Sequence, residues 1–184
     1  ALDNMGHVYT SNVMVAYDYA LRMGAHVVSC SFGPRSLNLQ PDARELALDA
    51  QEVRLYEQAV RPMAQKGVLL VAAAGNDDTD LDQLRDVNMS YLPCTLDLPN
   101  VVCVAASDSD NQIYRKDYTS RPSQASNTGR ATVHIAAPGS DIDSTLLGGA
   151  YGNKSGTSMA TPIVAGAAAL VLSVLGAADG NFYQ

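Results

Sequence analysis

The chain has 184 residues, 47% of them hydrophobic, with 12 Lys and Arg against 19 Asp and Glu for a formal net charge of -7. That length and apolar content suit one domain over residues 1–184 with a single sizeable core; the acidic balance, without any basic cluster, excludes the electrostatic footprint of a nucleic-acid binder. The longest strongly apolar run, residues 163–175, is shorter than the roughly 20 residues that span a bilayer and reads as a buried helix, so no membrane segment is expected.

The first predicted element is a helix over residues 11–23, where Val13, Tyr17, Ala20 and Leu21 recur at helical spacing, Thr10 or Ser11 caps the start and Gly24 ends it. A β-branched apolar run at 25–32, closed by Gly33-Pro34, predicts a strand buried on both faces. Residues 42–66 carry a long helical pattern, one helix or two, closed by Gly67, and a second buried strand at 68–74 ends at Gly75-Asn76. An acidic loop with Asp77, Asp78, Asp80 and Asp82 follows, and Pro93 and Pro99 lead into a third strand at 100–106. Shorter strands are expected at 132–136 and 143–146, around Pro138-Gly139. An alanine-rich helix at 157–174 follows a glycine-rich approach at 148–152. Strands alternating with helices indicate an α/β fold, doubly wound, with a mostly parallel sheet flanked by helices. Function in such sheets gathers at the carboxyl ends of the strands, here residues 31–33 and 75–76.

Cys30, Cys94 and Cys103 are too few for a disulfide framework and lack metal-ligand spacing; they read as buried thiols, with a Cys94–Cys103 bridge as the alternative. The acidic loop reads as solvated, with calcium binding or selection of basic substrate residues as alternatives. Asn88-Met89-Ser90 and Asn153-Lys154-Ser155 match the glycosylation triplet, a pattern too common to fix a compartment.

Gly156-Thr157-Ser158-Met159-Ala160-Thr161-Pro162 places a serine at the very start of a helix, where free backbone N–H groups and the helix dipole favour a developing negative charge. Alone, such a serine would be read as a helix cap. The whole string, followed by Val164-Ala165-Gly166, resembles the serine motif of the subtilase family. Ala73-Ala74-Gly75-Asn76 is similar to that family's oxyanion-asparagine motif, and Ser31-Phe32-Gly33 to its substrate-binding strand end, all in family order. Residues 100–106 and Ala137-Pro138-Gly139 extend the resemblance to nearly the whole chain, apart from a helical insert around 37–55.

The resemblance implies a subtilisin-like fold and a serine endopeptidase. Ser158 would be the nucleophile, the Asn76 carboxamide and the Ser158 N–H would hold the oxyanion, and water would hydrolyse the acyl-enzyme. An extended substrate would add as a β-strand between residues 31–33 and a facing segment that includes Gly6 and Val8. Ala73, Ala74 and Gly75 would line the pocket for the residue before the scissile bond. Plainer roles compete at single positions: core packing for Ala73 and Ala74, a simple turn at Gly33.

In the family's order Asp and His precede Ser, and neither motif is present here. His7 lies in Met5-Gly6-His7-Val8-Tyr9, His26 opens a strand and His134 lies in Val133-His134-Ile135; all three read as structural. The chain is therefore expected to be a fragment, incomplete at both ends of the domain and inactive alone. The chemistry requires no cofactor and no catalytic metal. Structural calcium is admitted by the resemblance, although His134 stands where some members carry an acidic residue of a weak cation site. Expected partners are a peptide or protein substrate and, in the precursor, a propeptide; the family implies a secreted or vesicular location. The competing reading is a catalytically dead homologue that keeps the fold as a binding module. Sedolisin-type acid peptidases place an aspartate where Asn76 stands, and a nucleotide-binding protein needs a glycine-rich strand-to-helix turn that does not occur here.

Overall fold

The computed structural model describes residues 8–34, 37–116 and 124–179. It opens with α1 (Thr10–Arg22), whose buried residues Val13 and Tyr17 lie one turn apart, followed by β1 (Val27–Cys30). Next comes α2 (Ala43–Gln65). Its start is fixed by a capping box: the Asp42 carboxylate accepts from the N–H groups of Arg44 and Glu45 at 2.8 Å, and the Glu45 carboxylate accepts from Asp42 N at 2.9 Å. The pattern at 42–66 is thus one continuous helix, with Pro62 in its last turn and Tyr56, Val60 and Met63 buried. Then follow β2 (Leu69–Ala73), α3 (Asp82–Asp86), β3 (Val101–Ser107), β4 (Arg115–Lys116), β5 (Gln124–Ala125), β6 (Ile135–Pro138), β7 (Ile142–Thr145), β8 (Tyr151–Lys154) and α4 (Thr157–Asp179).

The main sheet has the order β1-β2-β3-β6 and every pairing in it is parallel. Its central strands are covered on both faces. Leu70, Ala72 and Cys103 join Val13, Tyr17, Tyr56, Val60 and Met63 in one cluster, on the side of α1 and α2. Val71, Val104 and Ala106 join Ala160 and Ala165 of α4 in the other. Alternate residues of one strand thus feed two cores, which is the period-2 consequence of helices lying on both faces, and the doubly wound α/β architecture is present. Two antiparallel hairpins, β4 with β5 and β7 with β8, sit outside the main sheet; the glycine-rich approach at 148–152 leads into the second of them rather than forming a plain loop.

Several expectations are corrected. β1 is not buried on both faces: it is the sheet's edge among the described residues, with Val27 and Val28 half-buried and Ser29 exposed. The apolar run at 163–175 is not a buried helix along its length. α4 packs on all four strands of the main sheet, and Thr157, Ala160, Thr161 and Ala165 are buried, but Leu170, Val171, Val174 and Leu175 are each more than half exposed. Residues 157–176 are long and apolar enough to cross a membrane by length and composition; their docking on the sheet marks a core helix with one face uncovered.

The cysteine reading also changes. Cys94 and Cys103 form a disulfide, with Cα atoms 4.7 Å apart, while Cys30 is free and buried. The turn at 91–96, closed by Thr95 N to Tyr91 O at 3.0 Å and Leu96 N to Pro93 O at 3.2 Å, folds Cys94 back against Cys103 of β3. Sequence spacing alone carries no sign of that approach.

Nor is the acidic loop merely solvated. Asp77 accepts from Asn127 Nδ2 at 3.1 Å, Asp78 pairs with Arg115 at 2.6 Å, and Asp80 accepts from Asp82 N at 3.0 Å. Asp82 accepts from the backbone N–H groups of Ala131 and Thr132, both at 3.0 Å, and from Thr132 Oγ1 at 2.9 Å. These carboxylates bind protein donors rather than converging on a common point, and among the described residues no group of three or more His, Cys, Asp or Glu could hold a metal ion.

Two stability predictions follow from these braces. Closing a loop with a sequence separation of 9 restricts the unfolded chain, so Cys103→Ser should lower the unfolding free energy of the full-length protein by about 2–3 kcal/mol, read from urea denaturation. For Asp82, burial pushes the carboxyl up, but hydrogen bonds from Ala131, Thr132 and Arg130 outweigh it and leave the group below its usual range. A carboxylate lowered in the folded state adds stability that is fully present above its unfolded pKa of about 3.9 and is lost as pH falls through the folded value. Asp82→Asn should therefore flatten the loss of thermal stability below about pH 4.

Candidate active site

Three chain segments converge at the carboxyl edge of the main sheet: residues 31–33 after β1, residues 74–76 after β2, and the first turn of α4. The approach to α4 is suspended from the ends of β3 and β6, because Gly139 N donates to Ser107 O at 2.9 Å and Gly156 N donates to Gly139 O at 2.7 Å. This is the structural role of Ala137-Pro138-Gly139. Gly156 has a φ of +133°, and a Cβ there would lie 2.9 Å from Asn76 Oδ1. Only glycine suits both the backbone angle and the approach.

Thr157 then joins α4 to β2. Its N–H donates to Asn76 Oδ1 at 2.9 Å, and its Oγ1 accepts from Gly75 N at 3.1 Å. With Oδ1 engaged, the Asn76 carboxamide is fixed in rotation and Nδ2 is its remaining donor. Ser158 follows in the first helical turn, where the leading N–H groups have no intrahelical acceptor. Its Oγ donates to Ser31 O at 3.2 Å, and Ser31 Oγ donates to Ser158 O at 2.9 Å. Ser158 and Asn76 are both half-buried, so hydroxyl and carboxamide reach solvent at one shared edge.

The structure thus brings Ser158, Asn76, Gly75 and Ser31 together, with Gly33 two residues on. Phe32 is half-buried and lines a cavity of about 400 Å³ with Val8, Tyr56 and Leu92. Ala73 and Ala74 are buried; Ala74 packs in the core on the α1 and α2 side, donates its N–H to Val104 and accepts from Asn127 through its carbonyl. Gly6 and His7 lie outside the described residues. His26 precedes β1 and His134 precedes β6, so both stand at the opposite edge of a parallel sheet from Ser158. His134 Nδ1 accepts from Cys103 N at 2.9 Å, a structural contact.

Sequence reasoning missed two residues that shape this site. Asn127 is fully buried: its Oδ1 accepts from the N–H groups of Asp77 at 2.8 Å and Thr79 at 3.0 Å, its Nδ2 donates to Ala74 O at 2.8 Å, and its own N–H donates to Gly75 O at 2.8 Å. One carboxamide thereby holds the turn that presents Asn76. Tyr91, also buried, lies against Gly33 and Gly75; burial, with the Asp77 carboxylate nearby, raises its phenol above the ordinary range and keeps it neutral. Neither residue sits in a recognisable string or at a periodic position, so no signal in the sequence marked them.

Residues 1–181 match the Subtilase family. Among curated proteins, the chain is 34% identical over 173 residues to a thermophilic serine proteinase of Bacillus sp. (strain AK1), covering 94% of this chain and 34% of that protein. It is 40% identical over 107 residues to subtilisin E of Bacillus subtilis (strain 168), covering 58% of this chain and 24% of that one. Among solved structures, a lanthipeptide protease superposes with a TM-score of 0.72 at 27% identity, and the patellamide maturation protease PatA with 0.68 at 31%. These cover 95% and 97% of this chain but 54% and 55% of the respective relatives, so the chain spans about half the length of the solved structures and about a third and a quarter of these curated relatives. A match along nearly the full chain, joined to a parallel sheet that sets the serine and asparagine strings side by side, places the chain in the subtilase family.

Proposed function

We propose that the protein containing this segment is a serine endopeptidase in which Ser158 is the nucleophile and Asn76 an oxyanion donor. The observation that carries this reading is the Thr157 N–H bond to Asn76 Oδ1 at 2.9 Å, which restrains the carboxamide and leaves Nδ2 as its donor, one residue from the one bearing the hydroxyl. In the proposed reaction Ser158 Oγ bonds to the carbonyl carbon of a peptide while its proton passes to a histidine outside this chain. The carbonyl oxygen gains negative charge and accepts hydrogen bonds from Asn76 Nδ2 and the Ser158 N–H. The C–N bond breaks as the histidine gives its proton to the departing amine, and water then hydrolyses the ester and returns a proton to Ser158.

The substrate, a peptide or protein, runs as an extended strand along residues 31–33, with Gly6 and Val8 on its far side and residues 73–75 beside the residue before the scissile bond. The chemistry uses protein groups alone. A propeptide in the precursor and a secreted or vesicular location belong to the same reading, and the Cys94–Cys103 disulfide supports an oxidising compartment.

The segment alone should show no turnover, because the base is not in it. In the full-length protein, a fluorophosphonate should form an adduct on Ser158, and Ser158→Ala should abolish both labelling and peptide hydrolysis. Asn76→Ala should lower kcat by about 10²–10³-fold, the magnitude known for loss of the oxyanion asparagine in another member of the family. A folded full-length protein that takes no label would instead favour the catalytically dead binding module.

A further inference from the structure

Gly33 and Gly75 follow the ends of neighbouring strands β1 and β2, and the Tyr91 side chain lies between them. A Cβ added to Gly33 would come within 2.3 Å of Tyr91 Cε1, and one added to Gly75 within 2.2 Å of the Tyr91 hydroxyl oxygen. The phenol therefore fills the gap up to both backbones, leaving no room there for one further carbon. It is only 5% exposed. Nor is it carried on a loose arm. Tyr91 N donates to Thr95 Oγ1 at 2.8 Å, Thr95 N donates back to Tyr91 O at 3.0 Å, and Cys94 in the same turn is bonded to Cys103 of β3.

This inference rests on the peptidase reading above. A carbonyl carbon within reach of Ser158 Oγ, with its oxygen towards Asn76 Nδ2, belongs to a residue whose side chain enters the space between residues 31–33 and 73–75. We propose that Tyr91 is a specificity-determining residue: by occupying this space it restricts the residue on the acyl side of the scissile bond to glycine, alanine or serine. A larger side chain would have to displace a ring held by a hydrogen-bonded, disulfide-tied turn. The glycines at 33 and 75 make the same point from the other side, since any side chain at either position would collide with the ring.

Peptide anilides differing only in that residue (Gly, Ala, Leu or Phe) test this on the full-length protein, with a fluorophosphonate, which carries no such side chain, run in parallel. The unmodified protein should favour Ala over Phe by about 100-fold or more in kcat/KM. Tyr91→Ala should narrow that ratio at least about tenfold through faster turnover of the Phe substrate, while Tyr91→Phe, which keeps the ring, should preserve the ratio. Labelling of Ser158 together with equal turnover of Ala and Phe by the unmodified protein overturns the role of Tyr91 and leaves the peptidase reading standing. An unchanged ratio in a folded Tyr91→Ala protein does the same. No labelling of the unmodified protein overturns the peptidase reading, and this one with it. Where Tyr91→Ala does not fold, the ratios of the unmodified protein and of Tyr91→Phe decide.

Discussion

The hydrogen bond from the Thr157 N–H to Asn76 Oδ1 ties the first turn of α4 to the end of β2, and most of the site is arranged around it. It satisfies one of the donors that a helix start leaves free, and it stops rotation of the carboxamide. The surrounding residues serve its geometry. Gly156 adopts an angle other residues avoid and leaves Oδ1 unobstructed; Gly139 holds the approach from the neighbouring strands. Thr157 Oγ1 accepts from Gly75 N, and Thr161 Oγ1 donates to Thr157 O at 2.8 Å, so the threonine is locked on both sides. A bond of this kind is worth about 1 kcal/mol in stability; its larger effect is to set the direction of a donor.

The outline of the fold was legible because its carriers are local. Strands at 68–74 and 100–106 are runs of small and β-branched residues, and α1 and α2 show helical spacing closed by Gly24 and Gly67; the cap expected of Thr10 or Ser11 does not form, because the N-cap is Tyr9, without a side-chain bond. The site was legible in part because Ser158, Asn76 and Ser31 lie in continuous strings. What stayed hidden depends on contacts across long separations. Asn127 acts on residues some 50 positions earlier, and Tyr91 acts on two glycines that belong to different strands. The disulfide depends on how a turn folds back on β3. The edge position of β1 depends on strand order, which composition does not encode: an edge strand and a central strand of a parallel sheet can carry the same run of residues.

The uncovered surfaces have a physical pattern. Val15 and Tyr19 on α1 and Leu170, Val171, Val174 and Leu175 on α4 are exposed apolar side chains, and β1 presents an unpaired edge among the described residues. Apolar surface left on two helices and an open strand edge favours association. The site residues nevertheless keep their mutual geometry, because the bonds that set it lie within the described part.

The disulfide has a consequence for a protein proposed to cut peptide bonds in its own surroundings. Cys94 and Cys103 bracket Leu96, Leu98, Val101 and the connection into β3. Self-inflicted cleavage at any peptide bond between them would open the backbone without releasing either part, since the two ends would remain covalently joined through sulfur. Such a nicked molecule would run as one species on a gel and separate into two only after a reductant is added. The turn carrying Tyr91 would stay tethered to the strand it packs against, so damage at this point need not become loss of the site.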